Sequence, residues 1–157
     1  MSTRRPAGFT LVELIAVLAI VGVLAAAARP MLLLSAQRNH EHLLRQSLRQ
    51  LRSAIDAYKQ AADARRILLP AGASGWPPSL AVLVDGVPLA ANPRQKLYLM
   101  RRLPRDPFAD PALPADATWG LRASDSPADA PRPGRDVFDI HPRTDRRALD
   151  GSAYRQW

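Results

Sequence analysis

Residues 8–28, GFTLVELIAVLAIVGVLAAAA, decide the fold of this chain. From Phe9 to Ala28 the run is apolar and uncharged except for one carboxylate, that of Glu13. A helix of about 20 apolar residues is long enough to cross a bilayer. A charged side chain near the membrane centre costs about 2.5–3.5 kcal/mol on insertion scales, so an acid placed there usually has a functional partner. The run therefore predicts a membrane helix in which Glu13 is a functional residue.

Two ordinary explanations of the same run leave Glu13 without a purpose. Residues 1–28 have the basic start and apolar centre of a secretory signal, with Ala25, Ala26 and Ala27 as a cut site. The apolar centre of such a signal is usually only about 7–15 residues long, and an acid adds nothing to it. A plain membrane anchor has the right length, but it does not explain the acid either.

The amino terminus resembles the class III signal of type IV pilins and type II secretion pseudopilins. The resemblance rests on the basic leader with Arg4 and Arg5, the Gly8-Phe9 junction, Glu13 and the apolar run that follows. It implies that a prepilin peptidase cleaves after Gly8 and methylates the new amino terminus at Phe9. It also implies that subunits assemble by pairing the Phe9 amine of one copy with the Glu13 carboxylate of another.

Composition excludes several other classes of protein. The 157 residues hold no cysteine, so neither a disulfide nor a cysteine metal site is possible. The net charge of +8 raises the question of nucleic acid, but the arginines are scattered and no zinc spacing appears, so we expect no nucleic-acid partner. His40 and His42 lie two residues apart and would point to different faces of a helix. With no phosphate loop or catalytic triad pattern, the chain is predicted not to be an enzyme.

A second helical pattern follows Pro30. Apolar residues recur four and three apart and draw one stripe along a helix: Leu44, Leu48, Leu51, Ile55, Tyr58 and Ala62. We expect this stripe to pack on a sheet formed by later residues. The polar positions between its members are expected to face water: Arg45, Arg49, Arg52, Asp56 and Lys59. Phe9 to about Arg66 is thus predicted to be one long helix, which Pro30 should bend or loosen.

The composition changes after Leu69. Thirteen of the fifteen prolines lie from Pro70 onward, which favours short strands and turns over long helices. A short helix is predicted over residues 80–84, capped by residues 77–79 and ended near Gly86. Three segments are strand candidates, the first also a possible helical turn: Lys96–Arg102, Trp119–Ala123 and Asp136–His141.

Several strings in this half resemble the soluble domain of the major, G-type pseudopilin of the general secretion pathway. They are Gly75–Leu83, Leu103–Phe108, Trp119-Gly120, Asp136–Asp139 and Ala148–Tyr154. The Pro-Arg-Asp-Pro-Phe turn at residues 104–108 is the most specific, because both prolines fix their backbone angles and Asp106 can accept amide hydrogen bonds. Phe108 would then be pinned onto the core.

Calcium is the one cofactor that the resemblance suggests. Asp145 and Asp150, with Thr144 or Ser152, carry the oxygen ligands that hard cations prefer. Three neighbouring arginines would oppose a divalent ion, so ion pairs between these aspartates and the arginines are the alternative: Arg143, Arg146 and Arg147. No other cofactor is expected.

The sequence therefore predicts an α+β, pilin-like chain in which a long helix packs on a small antiparallel sheet with long loops. Its parts would be a cleaved leader (1–8), a membrane and assembly helix (9–29), an amphipathic helix (30–66) and a periplasmic region (67–157). The resemblance implies a pseudopilin of a type II secretion pseudopilus in the inner membrane, with its leader on the cytoplasmic side. Expected partners are other pseudopilin subunits, the prepilin peptidase and the inner-membrane assembly platform. A type IV pilus subunit for adhesion, motility or DNA uptake is the alternative.

Overall fold

The computed structural model describes residues 10–157, and for Ala27 and Ala28 the backbone alone. The predicted leader, 1–8, and Phe9 lie outside these residues. The chain divides into two units, one reaching as far as Asn39 and the other comprising His40–Trp157. One helix, α1 (Leu11–Asp63), contributes to both. The predicted α+β class is confirmed, with a long amino-terminal helix followed by small antiparallel sheets and loops.

The first part of α1 has an uncovered apolar surface. Its large side chains are half to three-quarters exposed, as Leu11 and Val12 illustrate at 74% and 76%. The segment is long and apolar enough to cross a membrane. Exposed apolar surface of this extent is unfavourable in water, at about 25 cal/mol per Å². It therefore fits lipid or other apolar helices as its surroundings.

The second part of α1 carries the predicted stripe, and the prediction is confirmed. All six members are buried: Leu44, Leu48, Leu51, Ile55, Tyr58 and Ala62. They share one core with residues from the second half, among them Trp119, Val137, Ile140 and Tyr154. A buried leucine or isoleucine contributes about 1.5–3 kcal/mol relative to an exposed one, so this stripe is the main fold-stabilising contribution of α1.

The polar face of α1 is only partly as expected. Arg45, Arg49 and Asp56 are exposed, but Arg52 and Lys59 are half-buried. Arg52 donates to the Asp139 carboxylate at 2.8 Å and to the Trp157 carbonyl at 2.6 Å. The expectation that Arg52 faces water was wrong, because a guanidinium at the margin of the stripe can reach backbone carbonyls of the packed segments.

A hydrogen-bonded motif ends helix α1. The Arg65 amide donates to the Ala62 carbonyl and the Arg66 amide to the Ala61 carbonyl, both at 2.9 Å. Arg65 has a φ of 52°, in the left-handed region. This pattern is the Schellman motif, which satisfies carbonyls that the last turn would leave unpaired. It stops α1 at Asp63, three residues before the predicted end.

The predicted short helix exists as α2, Val82–Asp85, and Gly86 ends it with a φ of 78°. The predicted cap at residues 77–79 is wrong. Ala81 occupies the capping position and no side chain caps the helix. The Pro77 carbonyl instead accepts the Val137 amide at 2.8 Å, which ties this segment to the later strand region.

The strands form two antiparallel pairs instead of the one sheet expected. Strands β1 (Val87–Pro88) and β2 (Lys96–Leu97) form the first pair. Strands β3 (Trp119–Arg122) and β4 (Asp139–Pro142) form the second, with Trp119 opposite Pro142 and Arg122 opposite Asp139. Single 3-10 turns lie at Asp116–Thr118 and Tyr154–Gln156. The many prolines lack the amide that a ladder needs, which keeps the strands short.

β4 begins three residues later than its alternating pattern predicted. Asp136 is buried and accepts the Ser124 amide and hydroxyl, each at 2.8 Å. Burial raises the pKa of Asp136, but hydrogen bonds from Ser74 and Ser124 and the charge of Arg135 outweigh it and hold that pKa below its ordinary value. Asp136 thus closes a loop, and the chain rejoins β3 at Phe138, whose amide donates to the Arg122 carbonyl at 2.8 Å.

Gly120 allows a close contact across β3 and β4. His141 is its cross-strand partner, and a Cβ added at Gly120 would lie only 2.1 Å from the His141 ring. The ring therefore lies over the glycine, in space that any other residue would fill.

We predict that Gly120→Ala lowers the free energy of unfolding by about 1–3 kcal/mol, because the ring must leave its position. Urea titration of the full chain in detergent measures this change. In a His141→Ala background the same substitution should have a much smaller effect. An equal loss in both backgrounds would show that the ring is not the obstacle.

Candidate assembly site

Thr10 and Glu13 begin the helix together. The Glu13 amide donates to the Thr10 hydroxyl at 3.2 Å, and the Leu14 amide donates to the Thr10 carbonyl at 3.1 Å. Thr10 is therefore the amino-terminal cap of α1, and Glu13 stands at the third helical position. This Thr-x-x-Glu spacing is that of a capping box. It is visible in the sequence, but the start of the helix was predicted without it.

Glu13 consequently has two possible roles. It is exposed in the first turn of α1, where a negative charge interacts favourably with the helix dipole. It is also the only acid in an apolar stretch that extends to Ala28. Of the other predicted assembly residues, Gly8 and Phe9 lie outside the described part of the chain. The pairing of Phe9 with Glu13 stays a prediction.

Pro30 lies inside α1, which continues on both sides of it. A proline has no amide hydrogen, so the carbonyl four residues earlier, that of Ala26, loses its helical donor. The backbone here is a weak point in the hydrogen-bond ladder. The predicted bending or loosening at Pro30 stays a prediction.

The turn at residues 104–108 is built as its sequence predicted. Asp106 is 3% exposed, and its carboxylate accepts the Phe108 amide at 2.8 Å. Burial raises the pKa of Asp106 above its ordinary value, against the lowering effect of that amide. The Asp106 amide donates to the Thr118 hydroxyl at 3.2 Å, and the Trp119 indole donates to the Pro104 carbonyl at 2.9 Å. These bonds fix the turn to the start of β3.

Phe108 reaches an aromatic cluster at the end of the turn. Its ring stacks on Tyr154 at 4.6 Å, and Tyr154 meets the Trp157 ring edge-on at 4.9 Å. The Arg45 guanidinium lies 4.1 Å from the centre of the Trp157 ring. His40 meets Phe108 edge-on at 5.6 Å. The turn, the carboxyl-terminal segment and α1 are thus joined by aromatic contacts.

Glu41 is the polar centre of this junction, and its role was not predicted from the sequence. It is 7% exposed, and its carboxylate accepts the Tyr154 hydroxyl and the Leu149 amide, each at 2.8 Å. A buried carboxylate needs such donors, because an uncompensated charge in the interior is strongly unfavourable. Glu41 therefore fastens residues 149–154 to α1. An acid on the margin of an apolar stripe is a weak signal for such a role.

Asp145 and Asp150 contact different arginines. Asp145 lies 3.4 Å from an Arg155 nitrogen, whereas Asp150 lies 3.5 Å from Arg45 and accepts the Ser152 hydroxyl at 2.6 Å. Hydrogen bonds from Ser152 hold the pKa of Asp150 below its ordinary value, with a smaller effect from Arg45. The ion pairs thus use arginines other than the three close in sequence to Asp145.

Within residues 10–157 no group of three or more histidine, cysteine or acidic side chains is placed to hold a metal ion. Calcium also takes hydroxyl and carbonyl oxygens, so it stays an untested expectation. The histidines are also dispersed: His40 lies against Phe108, His42 is exposed and His141 covers Gly120.

We predict that Tyr154→Phe lowers the free energy of unfolding by about 1.5–3 kcal/mol, because it removes a hydrogen bond to a charged group and leaves the ring. Urea titration followed by tryptophan fluorescence, with the full chain in detergent, measures the change. Tyr98→Phe is the matched control, since Tyr98 is 64% exposed. A loss no larger than that of the control would mean that Glu41 does not hold this segment.

Comparison with known proteins identifies the amino terminus alone. No curated protein sequence and no solved structure matches the chain. Residues 3–28 match the family model of the prokaryotic N-terminal methylation motif. The match spans the Gly8-Phe9 junction, the Thr10 cap and Glu13. The chain thus carries the leader of type IV pilin-like proteins and pseudopilins, joined to a helix apolar enough to span a membrane.

Proposed function

We propose that this protein is a pseudopilin of a type II secretion system, which assembles through α1 into a pseudopilus that drives folded proteins across the outer membrane. The methylation motif at residues 3–28 is the observation that carries the pilin-like part of the proposal. The type II assignment rests on the strings of the second half that resemble the major pseudopilin. In this chain, the Pro-Arg-Asp-Pro-Phe turn has a buried aspartate and places Phe108 against the core.

The proposed orientation follows from charge. Arg4 and Arg5 keep the leader on the cytoplasmic side, as the positive-inside rule predicts. The prepilin peptidase cuts after Gly8 and methylates Phe9, and the domain that begins near His40 lies in the periplasm. The lack of cysteine removes the carboxyl-terminal disulfide common in pilins, which favours secretion over a type IV pilus.

Assembly uses the two charges left in the apolar segment. In the proposed filament, the Phe9 amine of one copy meets the Glu13 carboxylate of its neighbour. Opposite charges 4 Å apart attract by about 4 kcal/mol at an effective dielectric constant of 20. A neighbour displaced along the axis would leave both charges unpaired, so the pair sets the axial register. The exposed apolar side chains of residues 11–34 supply the contact surface between helices. The inner-membrane assembly platform adds subunits at the base.

We predict that Glu13→Gln reduces filament yield about tenfold or more, because the loss of even about 1.4 kcal/mol at each contact has that effect. Glutamine keeps the capping-box residue type but removes the charge. Thr10→Ala is the matched control, since it removes the cap and keeps the charge. Immunoblots of sheared filaments, together with cargo secretion, give the readout.

If Thr10→Ala abolishes assembly while Glu13→Gln assembles normally, Glu13 acts by capping α1 and the pairing mechanism is wrong. Both variants should still be inserted and cleaved.

A further prediction concerns processing. Mass spectrometry of the mature protein should find a methylated Phe9 at its amino terminus. Gly8→Val should accumulate as the uncut precursor, because a branched side chain replaces the glycine at the cut. Gly22→Val, a matched change within the apolar run, should be processed normally. An unaltered protein that begins at Met1, or after Ala27, would refute the signal assignment.

A further inference from the structure

A basic groove runs beside α1 on the second unit. One wall consists of Arg49, Ser53 and Ala57 of the helix, and the other is residues 99–102. The Leu99 and Met100 amides both donate to the Leu83 carbonyl, at 3.1 and 2.9 Å. Their side chains are half-buried against the core. The second wall is therefore held in place before any partner binds.

The charge in this groove is unbalanced. Arg49, Arg101 and Arg102 are exposed, and among the described residues none of them forms an ion pair or a hydrogen bond through its guanidinium. Of the residues that the structure describes, no carboxylate lines the groove, and its apolar part consists of alanines, Leu99 and Met100. Three guanidiniums above an apolar strip fit an acidic protein segment with small apolar side chains. Duplex DNA would leave that strip uncovered.

A loop of this same chain has the complementary chemistry. Residues 124–131, SDSPADAP, hold two aspartates among alanine and proline. Asp125 and Asp129 are exposed, and within residues 10–157 neither forms an ion pair. The loop is closed by its own bonds, because the Ser126 hydroxyl accepts the Arg132 amide at 2.8 Å. Little conformational freedom would then be lost on binding.

The groove and the acidic loop lie on different sides of α1. Asp129 lines a cleft with Arg52, whereas the groove includes Gln50 and Ala57. At about 100° per residue, Arg52 and these two residues stand on opposite flanks of the exposed helix face. A contact between two different surfaces of identical chains is heterologous. Such a contact extends into open helical filaments where its rotation does not close a ring.

We infer that the groove of one copy binds the acidic loop at residues 124–131 of a second copy, with the arginines facing Asp125 and Asp129. This inference rests on the proposed filament and adds a second contact between subunits, in the periplasmic domains. It also accounts for acids and bases that form no ion pair with any residue of the described part, 10–157.

Cysteine crosslinking tests the contact directly, since the chain has no cysteine of its own. Arg102→Cys combined with Asp129→Cys in the full-length protein should give a ladder of oxidised multimers in filaments. Arg102→Cys with Asp116→Cys is the matched control, because Asp116 is an acid outside the loop. A ladder in the first pair alone supports the contact. No ladder, or equal ladders in both pairs, overturns it.

Charge reversal gives an independent test. Arg101→Glu with Arg102→Glu should reduce filament yield severalfold, and added Asp125→Lys with Asp129→Lys should restore it. If the unaltered chain forms filaments but the two aspartate changes do not restore the yield, the contact between groove and loop is overturned. The proposed function is not affected by that result. If the unaltered chain builds no filaments under any condition, the proposed function itself fails. Salt-sensitive retention of duplex DNA that the arginine variant loses would assign the groove to nucleic acid and overturn the inference.

Discussion

One helix has to satisfy two different surroundings, and the rest of the structure follows from that constraint. Residues 11–34 of α1 leave their large apolar side chains uncovered, whereas from Leu44 onward the apolar side chains lie in a stripe that the second half covers. The stripe spacing of three and four decides which face is buried. After residue 63 every helix and strand is four residues long or shorter, and their packing depends on this one long regular surface.

The polar contacts explain how so little regular structure makes a defined unit. Glu41 binds residues 149–154, Arg52 binds Asp139 and the Trp157 carbonyl, and Asp136 closes the loop before β4. Each is a charged group at the margin of the apolar stripe or of the core that covers it, and each makes its hydrogen bonds to another segment of the chain. Such contacts are specific in geometry, because a displaced partner would leave a buried charge unsatisfied.

The sequence predicted those features of the fold that local residue patterns determine. The apolar stripe, the Asp106 turn and Gly86 at the end of α2 follow from spacing and from residue preferences, and the structure confirms them. The sequence did not predict the contacts of Glu41 or the half-buried position of Arg52, because the partners of both residues are about a hundred residues away. The strand over Asp136–His141 was misplaced for a different reason: its alternation was real, but hydrogen bonds from Ser124 hold Asp136 outside the ladder.

The junction at Glu41 also has a consequence for the order of events in synthesis. Glu41 and Tyr154 are 113 residues apart, and Tyr154 is fully buried. A contact of such long range forms only after a large loop has closed, which makes it slow. The stripe on α1 leaves the ribosome well before Tyr154, and it stays uncovered until the rest of the chain has been made. Until then its apolar surface is exposed and prone to aggregation, so a chain that stops before Tyr154 lacks the contact that closes this junction.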